Sequence, residues 1–336
     1  MKKILVTGGL GYIGSHTVVE LINSNYEVVI IDDLSNSQVE VLQNIKKLTG
    51  VEPSFYCSDL KDRALVSKVF EEHAIAGVIH FAAYKSVGES QQIPLDYYEN
   101  NICSLINLLQ EMKTRSVDNF IFSSSCTVYG QADDMPISEE TPLKMPESCY
   151  GKTKQMGEEI IKDYIEAERK KATLLRYFNP IGAHPSGLLG ELPRGIPNNL
   201  IPYVVQTAAG VRECLSIFGD DYPTEDGTAI RDYIYVIDLA RAHVAALNKL
   251  LQSEELMCLD IYNLGTGKGT SVLEIVKSFQ KINKQVVPFK MCDRRPGDIV
   301  VAYADASKAE KELNWTAGTS IEESLRTAWN WQQTLV

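Results

Sequence analysis

Thr7-Gly8-Gly9-Leu10-Gly11-Tyr12-Ile13-Gly14 follows a short apolar run, Lys3 to Val6, and opens a segment of helical period. It contains both G-x-G-x-x-G (Gly9, Gly11, Gly14) and G-x-x-G-x-x-G (Gly8, Gly11, Gly14) at the turn from a strand into a helix. Glycines at these positions allow a tight turn and a close backbone approach. The free N–H groups and dipole of the following helix then stabilise a pyrophosphate. The next apolar run, Val28 to Ile31, ends in Asp32-Asp33. A carboxylate about 20 residues after the glycines accepts hydrogen bonds from an adenosine ribose and repels a 2′-phosphate, so NAD is expected over NADP. A plain turn or helix-capping role for Asp32 is the alternative.

Outward from this turn the rhythm repeats. Ser54 to Cys57, Val78 to Phe81, Phe120 to Phe122 and Thr173 to Leu175 read as further buried strands, separated by helices near Gln38–Leu48, Ala64–His73, Leu95–Lys113 and Tyr150–Ala167. Such alternation requires right-handed crossovers and a parallel sheet, so the fold class is α/β, a doubly wound Rossmann sheet. After Arg176 segments rich in Gly, Pro and Asn (179–199, 219–227) surround shorter elements. The expected division is an NAD-binding Rossmann domain over 1–178, with some later segments returning to it, and a smaller C-terminal α/β lobe over 179–336.

Bulk properties narrow the function classes. A formal charge of −11 disfavours nucleic acid and anionic membranes as partners, and it requires local cations wherever an anion binds. The seven cysteines include no C-x-x-C pair, so neither a disulfide framework nor a metal site is expected. No stretch approaches the roughly 20 apolar residues of a membrane span, and the opening apolar run is too short for a signal peptide. A cytoplasmic protein is the expectation.

Chemistry concentrates in a second constellation. Tyr150 and Lys154 form Y-x-x-x-K, and this spacing puts both side chains on one helix face. A tyrosine with a pKa of about 10 is a poor base at neutral pH, but a nearby ammonium favours its phenolate. Ser123-Ser124-Ser125 lies at the carboxyl end of a buried strand, where ligands bind in open α/β sheets, and Ser125 is the candidate proton relay. Alone, Y-x-x-x-K occurs by chance on helix surfaces; after a glycine turn and a serine-bearing strand it carries weight.

Taken together, Gly8-x-x-Gly11-Tyr12-Ile13-Gly14-Ser15-His16, His80-Phe81-Ala82-Ala83, Ser123-Ser124-Ser125, Tyr150-Gly151-Lys152-Thr153-Lys154, Leu175-Arg176-Tyr177-Phe178-Asn179-Pro180 and Arg231-Asp232-Tyr233 resemble the UDP-galactose (UDP-glucose) 4-epimerases of the extended short-chain dehydrogenase/reductase superfamily. The resemblance covers essentially the whole chain. Its most specific parts are residues 182–187, 196–200 and 221–228, which lie in the second lobe and are not shared by short-chain dehydrogenases at large.

The resemblance implies a retained NAD and a UDP-sugar substrate bound mainly by the second lobe. For the cofactor it implies Gly8, Gly11, Tyr12, Ile13 and Gly14 at the pyrophosphate. Asp32, Asp33, Leu34, Ser35, Asn36 and Ser37 would surround the adenosine ribose, with Asp59 and Leu60 near adenine. Phe81, Ala82, Ala83, Tyr84, Lys85, Asn100 and Phe178 would continue the groove. Tyr150 would take the proton of the sugar 4-hydroxyl while carbon 4 passes a hydride to NAD. Lys154 would anchor the nicotinamide ribose and Ser125 would share the hydroxyl's hydrogen bond. The implied substrate set is Lys85, Ser125, Tyr150, Phe178, Asn179, Asn199, Leu200, Phe218, Arg231, Arg295, Asp298 and Ala302, with the two arginines on the UDP pyrophosphate. At Ala302 some members of the family carry a bulky tyrosine, and a small residue there implies room for a 2-acetamido group. A homodimer is the family's implied assembly.

Rival activities differ at single positions. A 4,6-dehydratase needs an acid and a base right after the small hydroxyl residue, whereas here Ser125 is followed by Cys126-Thr127. An ordinary reductase would lack the second-lobe segments, and a non-catalytic nucleotide sensor would have no reason to keep Ser125, Tyr150 and Lys154 in register. UDP-glucuronate epimerases and decarboxylases are the nearest alternatives.

Overall fold

In the computed structural model, which describes residues 1–295 and 297–336, seven parallel strands form one sheet. Their spatial order is Cys258–Leu264, Lys171–Tyr177, Asn119–Ser125, Ile75–His80, Lys3–Thr7, Glu27–Asp32 and Ser54–Cys57. The strand order reverses beside Lys3–Thr7, which pairs with Glu27–Asp32 on one side and Ile75–His80 on the other. Connections leave in opposite directions there, and a crevice opens beyond the carboxyl ends.

The apolar runs are continuous because the sheet is covered on both faces. Ile4 and Val6 pack into one core with Val18, Leu21 and Leu247, whereas Leu5 packs into the other with Val66, Leu108 and Ile161; all are 0% exposed. Each such side chain contributes about 1.5–3 kcal/mol by leaving water. Helices Tyr12–Asn23 and Val236–Gln252 cover the first face; Arg63–Glu72, Ser104–Thr114 and Cys149–Glu168 cover the second.

Two features were not located from the sequence. The sheet has a strand at Cys258–Leu264 that returns from beyond the second lobe's first elements, and helix Val236–Gln252 returns with it. The helix expected over Leu95–Lys113 is interrupted: Pro94–Tyr98 is α-helical, Glu99–Cys103 is a π turn, and Ser104–Thr114 resumes the α form. A single wide turn hardly alters the periodicity of apolar residues, so the pattern does not reveal it. The turn carries Asn100 and Asn101, both buried.

The second lobe has its own core around Ile201, Val204, Ile217, Tyr233, Ile275, Phe279 and Leu325. Its small sheets pair Asn179–Ile181 with Tyr233–Tyr235, Leu215–Phe218 with Phe289–Cys292, and Ile230–Arg231 with both Thr270–Ser271 and Val301–Ala302. Fully buried Asp232 joins them. Its carboxylate accepts hydrogen bonds from Thr266 N (2.8 Å), Thr266 Oγ1 (2.6 Å), Gly267 N (3.0 Å) and Ala304 N (3.1 Å). Burial raises the Asp232 pKa, and these donors oppose the rise. Asp232→Ala strands several buried amides at once. It is expected to destabilise the protein by at least about 3 kcal/mol in denaturant unfolding, and a loss below about 1 kcal/mol would refute the hub role.

Candidate active site

The glycine turn is shaped by what a side chain would strike. Gly8 has φ +68°, and a Cβ there would lie 2.8 Å from Ala82 N; one on Gly14 would collide with the Gly8 carbonyl. Gly11 donates to Gly8 O (3.1 Å) and precedes helix Tyr12–Asn23 without a side-chain cap. Among the described residues, no side chain caps the amides of the first helical turn.

Asp32 fixes the neighbouring loop. Its Oδ2 accepts from Leu10 N (3.0 Å), and its Oδ1 accepts from Leu34 N (3.0 Å) and Ser37 Oγ (2.6 Å). Leu34 sits at φ 61°, a conformation L residues rarely adopt, directly beneath that carboxylate. The turn-shaping role that sequence left as an alternative is thus present, and Asp32 also faces the cavity. Asp33 caps the same loop through Ser35 N (2.9 Å).

A cavity of about 560 Å³ runs along the carboxyl edge of the sheet. Its wall includes Gly8, Gly11, Tyr12, Ile13 and Gly14; Asp32, Asp33, Ser35, Asn36 and Ser37; Asp59 and Leu60; Phe81 to Lys85; Asn100; and Tyr150, Lys154 and Asn199. Leu34 lies outside that wall. The π turn fixes one side: Asn101 Nδ2 donates to Tyr84 O (3.0 Å) and Thr153 Oγ1 (2.9 Å), and its Oδ1 accepts from Tyr84 N (2.8 Å). Asn101 was not read from sequence, where nothing separates it from Asn100.

Sequence singled out 196–200 but missed the rest of the cavity's cover, 191–194. Glu191, Leu192, Pro193, Arg194, Ile196, Pro197 and Asn198 line the cavity from the second lobe. Arg194 reaches Ser37 O (2.8 Å), while Glu191 receives Lys85 Nζ (3.1 Å) and Asn199 Nδ2 (2.6 Å). The segment thereby ties both ends of the cavity. Its Pro and Gly content marks a loop, but only the folded chain shows the loop's path.

At the far end Tyr150 and Lys154 project from helix Cys149–Glu168, which starts where the Ser148 hydroxyl caps Gly151 N (3.1 Å). Lys154 is 4% exposed and donates to Ser123 O (2.6 Å) and Ser123 Oγ (3.3 Å), with Nζ 4.8 Å from the Phe122 ring centre and 5.9 Å from that of Tyr150. Burial drives the Lys154 pKa down to about 7, partly opposed by Glu158. Burial pushes Tyr150 up to about 12, partly opposed by the Ser125 hydroxyl beside it. In the protein alone, then, desolvation outweighs the hydrogen bond that favours the phenolate. A group carrying positive charge beside Tyr150 would reverse that balance.

These residues fit NAD. The glycine cradle leaves room for a pyrophosphate that a Cβ would fill, the carboxylates of Asp32 and Asp33 suit ribose hydroxyls, and Tyr150 lacks the positive charge that an oxidised nicotinamide carries.

The remaining expected substrate residues lie off the main cavity's wall, in more than one place. Arg295 makes a bidentate pair with Asp298 (2.9 and 3.1 Å) and lies over the Phe218 ring at 4.9 Å; Arg231 comes within 3.9 Å of the same carboxylate. Arg294, not singled out by sequence, pairs with Asp221 (2.6 Å) and covers Tyr222. Phe178 and Ala302 are buried against Val128, Tyr129 and Ile137. Asn179 joins Tyr233–Tyr235 through Asp232 O (2.9 Å), and Leu200 starts helix Leu200–Ala208. Ser125 ends its strand at 9% exposure. None of these lines the main cavity's wall.

A family model described as GDP-mannose 4,6 dehydratase matches residues 5–328. The UDP-glucose 4-epimerase of Bacillus subtilis (strain 168) is 53% identical over 334 residues, covering 99% of this chain and 97% of that protein. The crystal structure of the UDP-glucose 4-epimerase from Bifidobacterium longum in complex with NAD+ and UDP superposes with a TM-score of 0.96 at 46% identity, covering 99% and 98% of the two chains. The UDP-Glc/GlcNAc 4-epimerase of Campylobacter jejuni superposes with a TM-score of 0.84 at 36% identity, covering 99% and 100%. No helix among the described residues is long and apolar enough to cross a membrane.

Lys154 has a stability signature. Its folded pKa of about 7 lies below the ordinary lysine value of 10.5, so between these values the unfolded chain binds more protons and stability rises with pH. Below about 7 both states are charged and the full burial penalty applies. Lys154→Met should therefore raise the urea midpoint of the cofactor-free protein at pH 6 more than at pH 9. Equal effects at both pH values would exclude a buried, proton-losing lysine.

Proposed function

The chain belongs to the UDP-glucose 4-epimerases of the extended short-chain dehydrogenase superfamily, an NAD-dependent family that interconverts UDP-glucose and UDP-galactose, and we propose that Tyr150, Lys154 and Ser125 carry this reaction here. The observation that bears most on it is that Tyr150 and the buried Lys154 line the same cavity as the glycine cradle. Bound NAD supplies reversible hydride exchange at sugar carbon 4. Tyr150 takes the 4-hydroxyl proton and returns it after the 4-keto sugar has turned its other face; Ser125 shares that hydrogen bond. Lys154, held on Ser123 O, keeps positive charge near the phenol. No net redox change results. The cavity and its cover hold the reactants in place and exclude water, which supplies much of the acceleration.

The UDP pyrophosphate falls to Arg231 and Arg295. Each is held ready by Asp298, and Arg295 stacks on Phe218 in the fixed fork geometry suited to phosphate oxygens. Phe178, Asn179, Asn199 and Leu200 border the sugar and nucleotide path. The dehydratase description of the family model does not extend to activity, since Cys126-Thr127 offers no carboxylate after Ser125. The proposal includes a homodimer in a reducing compartment, the cytoplasm, supported for the compartment by seven free thiols.

Tyr150→Phe is expected to lower turnover of UDP-galactose to UDP-glucose by at least about a hundredfold, measured without added reductant. Near wild-type turnover would remove Tyr150 from the role. Acceptance of a 2-acetamido sugar is a further part of the proposal, supported by the small side chain at Ala302 and by the Campylobacter jejuni neighbour's named substrates. Wild type should interconvert UDP-N-acetylglucosamine and UDP-N-acetylgalactosamine. Ala302→Tyr should suppress that pair while largely sparing the plain one, because close-packed walls do not yield cheaply. A tyrosine variant that handles both pairs equally overturns the size argument.

A further inference from the structure

Tyr150, Lys154 and Glu158 stand at i, i+4 and i+8 on one face of helix Cys149–Glu168. Glu158 is 4% exposed, as buried as Lys154. Its Oε1 accepts from the Ser124 hydroxyl and from Arg176 Nε (2.9 Å), and its Oε2 accepts from Arg176 Nη2 (2.6 Å). Arg176 is 3% exposed; it donates from Nη1 to Tyr129 OH (2.9 Å), which in turn donates to Asn263 Oδ1 (2.7 Å). Stability alone does not account for such a pair. Removing two charges from water costs as much as their attraction returns, and apolar residues of the same volume commonly serve as well.

We propose that Glu158 is a positioning residue for the reaction: it keeps Lys154 protonated and ties the Ser123–Ser125 strand end to the helix that carries Tyr150. The inference rests on the assignment of Lys154 as the partner of Tyr150. The groups facing Lys154 are few. Its own helix presents Tyr150 and Glu158. Strand Ile75–His80 presents His80, bonded to Thr7 Oγ1 (2.7 Å) and held neutral because burial and Lys154 lower its pKa to about 3. Strand Lys171–Tyr177 presents Arg176 and Tyr177, and Cys126 follows Ser125 with its thiol kept protonated by burial. Of these, only Glu158 is a carboxylate, and its field acts on Lys154 against the desolvation that drives the proton away. The Ser124 hydrogen bond gives the second effect. Ser123, whose carbonyl receives Lys154, and Ser125, beside Tyr150, flank the residue that Glu158 holds.

The double variant Glu158→Gln/Arg176→Gln removes both charges, leaves no uncompensated Arg176, and keeps an amide oxygen for Ser124. In full-length protein labelled at lysine carbon ε, the Lys154 titration midpoint should fall by about one pH unit or more, and the alkaline limb of kcat in the NAD-loaded enzyme should move to lower pH by a similar amount. Glu158→Gln alone should shift both further in the same direction, since Arg176 is left uncompensated, whereas Glu158→Asp, which keeps the charge, should hold the limb at its wild-type position. A folded double variant with an unmoved Lys154 midpoint and an unmoved limb overturns the inference, because a merely structural partner of Arg176 would change melting temperature and not the titration. Lys154→Met, run alongside, separates the two readings. Wild-type turnover in that variant would sink the assignment of Lys154 itself, whereas an inactive Lys154→Met with an unshifted double variant rejects Glu158 only.

Discussion

Parallel alignment of the seven sheet strands governs the rest of the molecule. Because every strand points the same way, every carboxyl end lies on one edge, and the loops leaving that edge become neighbours however far apart they are in sequence. Thr7–Gly14, Asp32–Ser37, Phe81–Lys85, Ser123–Ser125 and Tyr177–Asn179 all leave from it. The constraint also explains why two cores, one on each face, must be complete before a site exists. Ile4 and Leu5, adjacent in sequence, belong to different cores, so the strand carrying the glycine turn is held from both sides.

Charge is distributed against the global balance. A chain of net charge −11 still places Lys85, Lys154 and Arg194 around the cavity and Arg231, Arg294 and Arg295 in the second cluster. Most of them are restrained without being neutralised. Lys154 rests on a carbonyl, Arg194 on another, and Arg231 and Arg295 share one carboxylate, so two positive charges stand against one negative. A dianion approaching that cluster meets cations already oriented, which lowers the reorganisation its binding requires. The perturbed groups lie where such arrangements are expected, with Lys154 and Tyr150 shifted in opposite directions from their ordinary values by the same cause, burial.

What the sequence revealed follows from how local each signal is. The glycine turn, Asp32, the Y-x-x-x-K face and the first six strands are short-range patterns, and they fall where the spacing placed them within a few residues; the strand expected at Phe120–Phe122 runs on through Ser125, so the serines are part of it. The π turn at Glu99–Cys103 escaped because one extra residue per turn barely changes an apolar period. The strand Cys258–Leu264 escaped because its residues are only half-buried along much of their length, and edge position rather than composition defines it. Asp232 looked like one member of an Arg-Asp-Tyr motif, and its work of knitting residues 266, 267 and 304 together depends on contacts more than 30 positions away. The cover over the cavity is the same case: loop composition is legible, a loop's path is not.

That cover is pinned from behind. Trp331 donates from its indole to Glu191 O (3.1 Å), and a side chain at Gly190 would strike the Trp331 ring, so the C-terminal helix Ile321–Gln333 bears directly on the segment roofing the cavity. Helix Ile321–Gln333 is therefore mechanically continuous with the cavity lined by Tyr150 and Lys154. A load applied to that helix reaches the roof, whereas one applied at Lys3 enters at the far, amino-terminal end of the sheet. For holding this protein on a surface, the two places are not equivalent anchors.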